Sequence, residues 1–263
     1  MTKGYLWFAQ NNDKTDYVEL SIKLAESIKK HNRYNDVCVV TDEKSKFESK
    51  HVDVVKVLKQ DDSEEHDIKW ANEHKAFKIT PFKHTIKLEA DMLWTANTDW
   101  WWYHLWQHNL VFSVDCLDFR NNVVKNTSYR KLFLRNNLPN IYNGLMYFRK
   151  SDTAQRFFDI AAKITKNWQF AKNEILIACH DKYPSTDVVF ALAYRIMDPT
   201  MQGLVDYEWF KFIHHKPDIH GVKVRNHNDY LLPNRSGEKI YLGETRLSKV
   251  WHYHDKELDV SNI

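Results

Sequence analysis

Short apolar runs alternate with amphipathic segments in the N-terminal part of the chain, and this alternation limits the possible folds more than any other feature. Residues 5–9, 36–42 and 52–58 are apolar or β-branched runs that predict strands, and residues 17–30 have the spacing of an amphipathic helix. Strand–helix–strand order implies a parallel sheet with crossover helices. We therefore expect an α/β fold in which a mostly parallel central sheet is flanked by helices.

The size and composition fit one such domain. Of the 263 residues, 43% are hydrophobic and 28% are charged, an ordinary globular balance that argues against extensive disorder. Only 6 Gly and 6 Pro are present, so flexible linkers are not expected. We predict a single domain over residues 1–263, with one half at 1–110 and a second half at 111–263 that ends in a basic tail.

Two carboxylates, those of Glu89 and Asp91, follow the apolar run at residues 85–88 with one residue between them. An ionised carboxylate at the tip of a buried strand is costly unless a cation or a donor compensates it. A divalent metal carrying a diphosphate is one such compensator, because Mg²⁺ and Mn²⁺ prefer carboxylate and phosphate oxygens. The pattern predicts a metal site, and an ordinary solvated loop is the alternative.

Polar residues also end the other predicted strands. Residues 10–13 follow the first strand, and Thr41-Asp42 end the second. Ligands of parallel sheets collect at the carboxyl ends of the strands, so this coincidence favours a binding site. Neither GxGxxG nor GxxxxGK[ST] occurs, so a dinucleotide fingerprint and a P-loop are not supported.

The second half continues the pattern. Strands are predicted at 111–115 and at 142–148, the latter opening with an Asn143-Gly144 turn, and helices at 153–168 and 188–197. Ser185, Thr186 and Asp187 precede the last helix, where such side chains usually serve as an N-cap. The tryptophan-rich segment 100–106 is predicted to be a packed helix face, with a ligand platform as the alternative.

Residues 119–151 form a basic segment without a single Asp or Glu, in a chain whose net charge is only +3. It includes Arg120, Lys125, Arg130, Lys131 and Arg135. Such a block is either a solvated basic face or a surface for an anionic partner such as a phosphate backbone.

Cysteine usage and hydropathy predict a cytoplasmic protein. The three cysteines are far apart and show no CxxC spacing, so neither a zinc site nor a disulfide framework is expected. The apolar stretch at residues 4–9 is too short for a signal peptide, and no run reaches the length of a membrane span.

Several of these elements, taken in order, resemble glycosyltransferases of the GT-A fold, a Rossmann-like fold, and most of all the glycogenin-type retaining families. The resemblance covers residues 4–217. It rests on the first strand with its turn, the stretch 79–91 that ends in the acid-x-acid pair, Asn143-Gly144, residues 185–187 and the segment 214–217, which is similar to a His-x-Lys-Pro motif. Glu89 departs from the family pattern, which usually has Asp there.

This resemblance implies a nucleotide-sugar site in the half at 1–110 and an acceptor site in the half at 111–263. The implied metal is Mn²⁺ or Mg²⁺, the implied donor is a UDP-sugar, and the implied enzyme is a hexosyl- or pentosyltransferase. The expected metal ligands are Glu89, Asp91 and His214, with His215, His252 and His254 as rivals for the third position. The expected donor contacts are Ala9, Gln10, Asn11, Tyr17, Lys75, Glu89, Ala90, Asn143, Gly144 and Lys216.

The catalytic side chains expected near the anomeric carbon are Asp187, Asp115 and Asn143. Asp187 would act as a general base in an inverting enzyme, and as a nucleophile or charge stabiliser in a retaining one. The resemblance to glycogenin favours retention.

The acceptor is predicted to bind along Arg120, Lys125, Arg130, Lys131 and Arg135, because the basic segment lies between the acid pair and Asn143 in sequence. The chain is also similar to small phage GT-A enzymes that glycosylate hydroxymethylcytosine in DNA, and such DNA is the favoured acceptor. The alternatives are a polysaccharide, a lipid-linked sugar or a protein as acceptor, a non-catalytic nucleotide-sugar or nucleic-acid-binding module, and a metal-dependent phosphodiesterase or nuclease.

Overall fold

The computed structural model describes residues 2–63, 68–125, 127–216, 219 and 233–253. The strands are β1 (Lys3–Phe8), β2 (Asp36–Thr41), β3 (Val54–Val57), β4 (His84–Leu88), β5 (Met92–Leu93), β6 (Leu110–Val114), β7 (Ile141–Arg149), β8 (Ile213–His214), β9 (Pro233–Ser236), β10 (Lys239–Leu242), β11 (Thr245–Arg246) and β12 (Trp251–His252). The helices are α1 (Tyr17–His31), α2 (Ala76–Ile79), α3 (Trp101–Leu105), α4 (Lys131–Arg135), α5 (Asp152–Lys166), α6 (Trp168–Phe170) and α7 (Thr186–Met197), with a 3-10 helix at Lys69–Lys75 and a π-helix at Ala171–Ile175.

A six-stranded sheet in the order β3-β2-β1-β4-β7-β6 forms the centre of the fold. Strands β3, β2, β1 and β4 run parallel to one another, whereas β7 runs antiparallel to both β4 and β6. The predicted α/β class with a mostly parallel sheet is therefore confirmed. Because β7 is reversed, its first residues lie at the same edge of the sheet as the carboxyl ends of β1 and β4.

Both faces of this sheet are buried, as expected where helices cross over a parallel sheet. Leu6 and Phe8 of β1 pack into one core, and Tyr5 and Trp7 pack into the other. Because side chains on both faces of the strand are buried, the strand sequences are nearly continuous apolar runs.

The two long amphipathic helices begin at side-chain caps. Asp16 accepts a hydrogen bond from the backbone N–H of Glu19 at 2.9 Å, and Ser151 accepts one from Ala154 at 3.3 Å. Such caps satisfy N–H groups that have no partner within the helix. Helices α1 and α5 lie within two residues of their predicted bounds.

One local prediction was wrong, because Asn143 and Gly144 lie inside β7 rather than in a turn. The N-cap of α7 is Ser185, within the predicted residues 185–187, but Ser185 makes no side-chain capping bond and the Asp187 carboxylate bonds elsewhere. The basic tail also contains the short strands β8 to β12, which were not predicted.

A second sheet, β5-β12-β8, brings the C-terminal part of the chain to the acid-x-acid segment. His252 of β12 pairs with Met92 of β5 and with His214 of β8. A separate small core that includes Leu93, Ile213 and Trp251 fixes this sheet. The register therefore places His252 beside the carboxylates of Glu89 and Asp91, which precede β5.

The tryptophan-rich segment forms α3 and is mainly a packed face. Trp101 and Trp102 are buried, whereas Trp100 and Trp106 are about half exposed. Among the described residues, no helix is both long and apolar enough to span a membrane.

Candidate active site

Two carboxylates and one imidazole converge at the end of β4. His252 Nε2 lies 2.9 Å from Asp91 Oδ2 and 3.3 Å from Glu89 Oε2. Ligand atoms of all three residues lie within 4.8 Å of one another. Asp91 and His252 are buried, and Glu89 is partly exposed, so the cluster opens to solvent on the side of Glu89.

Burial holds the pKa of His252 below its usual range, although the nearby Glu89 carboxylate acts in the opposite direction. The imidazole is therefore neutral at physiological pH and keeps a lone pair available for a metal. Two oxygen donors and one nitrogen donor suit Mn²⁺ and are also compatible with Mg²⁺. These three residues therefore fit the divalent ion that the sequence predicts.

His214, the histidine first expected in the metal shell, lies behind His252. The two Nδ1 atoms are 3.0 Å apart, and the rings are tilted against each other. The described residues that meet around the acid pair include His252 and not His214. His215 donates its backbone N–H to the carbonyl of His252, and His254 lies outside the described residues.

Asp187 is held by two donors from different parts of the fold. The backbone N–H of Asn143 donates to Oδ1 at 2.7 Å, and Arg130 Nη2 lies 3.0 Å from Oδ2. Asn143 also donates through Nδ2 to Glu89 Oε1 at 3.3 Å, so one residue of β7 links Asp187 to the acid pair. Oδ1 of Asn143 has no hydrogen-bond partner within the described part of the chain.

Gly144 allows the acid pair to pack against β7. A Cβ atom at this position would lie 2.9 Å from Glu89 Oε2 and 3.2 Å from its Cδ. Real Cβ contacts are almost never that short, so a larger residue would displace the Glu89 carboxylate.

A buried ion pair lies beneath this cluster. Lys87 on β4 is fully buried and pairs with Glu73 of the 3-10 helix, and its Nζ also approaches the carbonyl of Asn143 at 3.5 Å. Burial raises the pKa of Glu73, and the Lys87 ammonium opposes that shift. A buried ammonium without a counter-charge would strongly destabilise the fold. Lys87 and Glu73 therefore need each other beneath the site.

These groups surround a cavity of about 560 Å³. Among the residues that the sequence predicted, the cavity lining contains Gln10, Tyr17, Glu89, Ala90, Asp91, Gly144, Asp187, His214 and Lys216. Glu73, Lys69, Trp70, Tyr142, Tyr183 and His252 line it as well. The volume is ample for a small polar ligand.

The remaining predicted donor contacts, Ala9, Asn11, Lys75 and the Asn143 described above, do not line the cavity. Ala9 is buried, and Asn11 bonds to the backbone N–H of Val18 through Oδ1 and to Ser45 through its own N–H. Lys75 is engaged with Asp62 at 2.9 Å and with the carbonyl of Gln60. These contacts give Asn11 and Lys75 structural roles beside the cavity.

Asp115 also lies outside the lining. It accepts a hydrogen bond from Asn140 Nδ2 at 2.5 Å, and its φ of 60° places it in the left-handed region. Asn140 in turn accepts from Arg130, so Asp115 belongs to the network that surrounds Asp187 without touching Asp187 itself.

The basic segment does not form one exposed face. Arg130 is buried, stacks on Phe133 and Tyr142, and bonds to Asp187 and to the carbonyl of Ile141. Arg130 is therefore not part of an exposed basic face, and its contact with the acceptor remains a prediction. Arg120, Lys125, Lys131 and Arg135 are exposed, and none of them lines the cavity.

Lys87 is a site residue that the sequence analysis did not single out, although a charge between the apolar residues Ile86 and Leu88 calls for a buried partner. His252 was named only as a rival for the third metal position, because nothing in its local sequence indicates that it reaches residues 89–91.

No protein-family model matches the chain, and no curated protein matches it. Among solved structures, the apo crystal structure of mouse xyloside xylosyltransferase 1 resembles it with a TM-score of 0.54 and 11% sequence identity, over 100% of this chain and 99% of that chain. The mouse protein is a glycosyltransferase of the GT-A type. At this identity the likeness concerns the fold, and the chain has the GT-A fold.

Proposed function

We propose that this protein is a metal-dependent glycosyltransferase that uses a nucleotide-sugar donor. The observation that carries the proposal is the convergence of Glu89, Asp91 and His252 in the cavity at the carboxyl edge of the sheet. In α/β sheets this edge is where ligands bind. The GT-A fold and the resemblance of residues 79–91 to the family's metal motif support the same function.

The charges in the cavity suit a diphosphate leaving group. Glu89, Asp91 and His252 would hold a Mn²⁺ or Mg²⁺ ion, and that ion would supply positive charge to a departing diphosphate. Lys69 and Lys216 also line the cavity and offer two further cations. Gln10 and Tyr17, at the end of β1 and the start of α1, are proposed to contact the base and ribose of UDP.

Asp187 is the carboxylate proposed to act near the anomeric carbon. The bond between that carbon and the diphosphate breaks with its electron pair leaving on the nucleotide, and a bond to the acceptor oxygen forms. The hydroxyl proton passes to a carboxylate or to the released diphosphate. Asp187 is fixed by the backbone N–H of Asn143 and by Arg130.

Hydroxymethylcytosine in DNA remains the acceptor that the sequence favoured, and the exposed Arg120, Lys125, Lys131 and Arg135 support it. A polysaccharide, a lipid-linked sugar and a protein are the other acceptors to test. The three buried free cysteines agree with the cytoplasmic location that we propose.

Donor turnover is the direct test. Nucleotide release from a panel of UDP-sugars is measured with Mn²⁺, with Mg²⁺ and with a chelator, and with or without hydroxymethylcytosine-containing DNA. We expect metal-dependent release that Asp91→Ala abolishes while the melting temperature is kept. Added mass on the DNA would establish that acceptor, whereas release without added mass would remove it. Donor binding without any release would indicate a non-catalytic module, and nicked DNA would indicate a nuclease.

A further inference from the structure

The 3-10 helix at Lys69–Lys75 turns one side toward the cavity. Side chains three residues apart eclipse each other in a 3-10 helix, so Trp70 and Glu73 project from the same side, and both line the cavity. Nε1 of Trp70 donates to the carbonyl of Pro184 at 3.1 Å, which fixes the ring beside Glu73. Only 9% of the Glu73 side chain is exposed. Glu73 is therefore a nearly buried acid that still borders the cavity.

Glu73 lies beside the groups that surround the proposed reaction centre. Burial is the main cause that raises its pKa, and the Asp187 charge adds to the rise, whereas the Lys87 ammonium and a hydrogen bond from the Asn143 side chain oppose it. Asn143 also donates to Glu89 and to Asp187. Glu73 therefore borders the space between the acid pair and Asp187, where the proposed function puts the donor sugar.

The charge of Glu73 is already balanced within the protein. Lys87 pairs with Glu73, as Arg130 pairs with Asp187, and the acid pair at residues 89 and 91 is assigned to the metal. These carboxylates therefore leave no excess of negative charge that would select a ligand by its sign. Any selection by Glu73 has to come from the direction of its hydrogen bonds.

Hydrogen-bond direction distinguishes the parts of a nucleotide sugar at this point. An ionised carboxylate accepts up to about four hydrogen bonds and donates none. Lys87 and Asn143 supply two donors to Glu73, and Lys87 is fully buried and does not line the cavity. A ligand group that meets the open side of Glu73 therefore has to be a donor. The ionised diphosphate offers only acceptors, whereas the sugar hydroxyl groups donate.

We propose that Glu73 accepts a hydrogen bond from one hydroxyl group of the donor sugar and thereby selects the donor. Lys87 is its positioning residue, because the ammonium holds the carboxylate in place without touching the sugar. This inference rests on the proposed glycosyltransferase function and names a donor-specificity residue within the same site. A donor that lacks this hydroxyl would leave a buried carboxylate oxygen without its partner, which is the basis of strong discrimination.

The test pairs a change in the protein with a change in the ligand. The double variant Glu73→Leu with Lys87→Met removes both charges together, so that neither is left unpaired. Asp181→Asn is the matched control, because Asp181 is another carboxylate that lines the cavity, but an exposed one. Glu73→Gln is a second variant that keeps the shape and a neutral acceptor.

The probes are UDP, the best donor among UDP-glucose, UDP-galactose and UDP-xylose, and the monodeoxy analogues of that donor at each ring hydroxyl. Affinity is measured by calorimetry with Mn²⁺ present, and kcat/KM is measured from nucleotide release. The melting temperature of each variant is recorded alongside.

In the wild type, removal of one particular hydroxyl should lower kcat/KM about 10- to 100-fold. The same removal should cost less than about threefold in the double variant and an intermediate factor in Glu73→Gln. Asp181→Asn should keep the wild-type discrimination at that hydroxyl. The affinity for UDP should be equal in all four proteins, because Glu73 meets the sugar and not the nucleotide.

Two results would overturn the inference. One is a deoxy series that costs the same in the wild type and in the double variant, and the other is an equal loss of affinity for UDP and for the UDP-sugar. Either would leave Glu73 as the structural partner of Lys87 alone. A wild type that binds UDP-sugars but releases no nucleotide would instead refute the proposed function, and the binding series would still decide the role of Glu73.

Discussion

Arg130 holds the carboxylate of Asp187 through an ion pair in which Nη2 lies 3.0 Å from Oδ2, the guanidinium is buried and the carboxylate is partly exposed. The guanidinium is itself fixed by the carbonyl of Ile141 and by stacking on Phe133 and Tyr142. The rigid fork of an arginine suits such a bridge, and a lysine would not reproduce it. Arg130 therefore orients Asp187 from within the protein rather than meeting an acceptor from outside.

Replacing Arg130 should reduce turnover more than it affects substrate binding. In Arg130→Met the Asp187 carboxylate keeps, of the donors in the described part of the chain, only the N–H of Asn143, so we expect kcat to fall about 10- to 100-fold. Steady-state kinetics with the donor alone and with the best acceptor measure this effect. Lys131→Met is the matched control, since Lys131 is adjacent in sequence but exposed.

Two results with Arg130→Met and its control Lys131→Met would contradict this positioning role. If Lys131→Met and Arg130→Met both weaken acceptor binding and leave donor hydrolysis intact, the basic segment is an acceptor surface after all. A large fall in the melting temperature of Arg130→Met alone would point to a folding role, because an unpaired buried group is costly.

The two histidines that touch each other should differ in their effect on metal affinity. His252→Ala removes a nitrogen that lies within 3.3 Å of both carboxylates, so we expect Mn²⁺ binding to fall by at least about 100-fold. His214→Ala removes only the neighbour of His252 Nδ1, for which a loss of about 10- to 100-fold is expected. Titration of Mn²⁺ followed by electron paramagnetic resonance measures both, with the exposed His180→Ala as a control. A greater loss in His214→Ala than in His252→Ala would make His214 the ligand.

Gly144→Ala should damage the metal site and leave the fold intact. The new methyl group would meet Glu89 Oε2 at 2.9 Å, and the flexible end of that side chain can move away more easily than the backbone. We expect weaker Mn²⁺ binding and lower donor turnover at an unchanged melting temperature. In the control Gly203→Ala, the new Cβ meets Asp198 Oδ2 at 3.2 Å on an exposed turn. If both substitutions changed Mn²⁺ binding and donor turnover equally, the close approach of Gly144 to Glu89 would not matter for the metal site.

The sequence predicted the central sheet well because local periodicity encodes it. The apolar runs and the helical spacing placed β1, α1, β2 and α5 within about two residues of their observed bounds. The acid pair was also recognised, because charges at the end of a buried strand stand out locally. The reversed direction of β7 was not predicted, since an apolar run has the same pattern in either direction.

The site itself depended on contacts between distant parts of the chain. His252 meets Asp91 across 161 residues, and Arg130 meets Asp187 across 57. Asp187 looked like a helix cap and Arg130 like a surface charge, because propensity describes a residue's local surroundings and not its tertiary partner. The register of β12 with β5 decides which histidine reaches the carboxylates, and no local pattern specifies that register.

The buried pair of Lys87 and Glu73 should show strong coupling in a double-mutant cycle. Lys87→Met leaves an unpaired acid and Glu73→Leu leaves an unpaired ammonium, so each single change should cost about 3–5 kcal/mol of unfolding free energy. The double variant should recover much of that loss, since an apolar pair of similar volume fits a dry site. Urea unfolding of the four proteins measures the cycle. Additive single effects would mean that the two charges are not coupled.

Protonation of His74 should destabilise the fold in acid. His74 is buried, its Nε2 lies 3.1 Å from Asp62 Oδ2, and burial lowers its pKa to about 4, against the opposing effect of the Asp62 carboxylate. Between the unfolded pKa of about 6.5 and the folded pKa of about 4, the unfolded chain binds a proton that the folded protein does not. Stability therefore falls as the pH drops through this window, by about 2 kcal/mol between pH 7 and pH 5 for this one group.

His74→Gln isolates that contribution, because glutamine can keep a hydrogen bond to Asp62 and does not titrate. The other histidines with a pKa lowered by burial, namely His31, His84, His108 and His252, are common to both proteins and cancel in the comparison. Urea unfolding at pH 7 and pH 5 should show a smaller loss in the variant than in the wild type, by about 2 kcal/mol. An equal loss in both would mean that His74 takes up its proton in the folded state as readily as in the unfolded chain, so that the Asp62 carboxylate fully offsets burial.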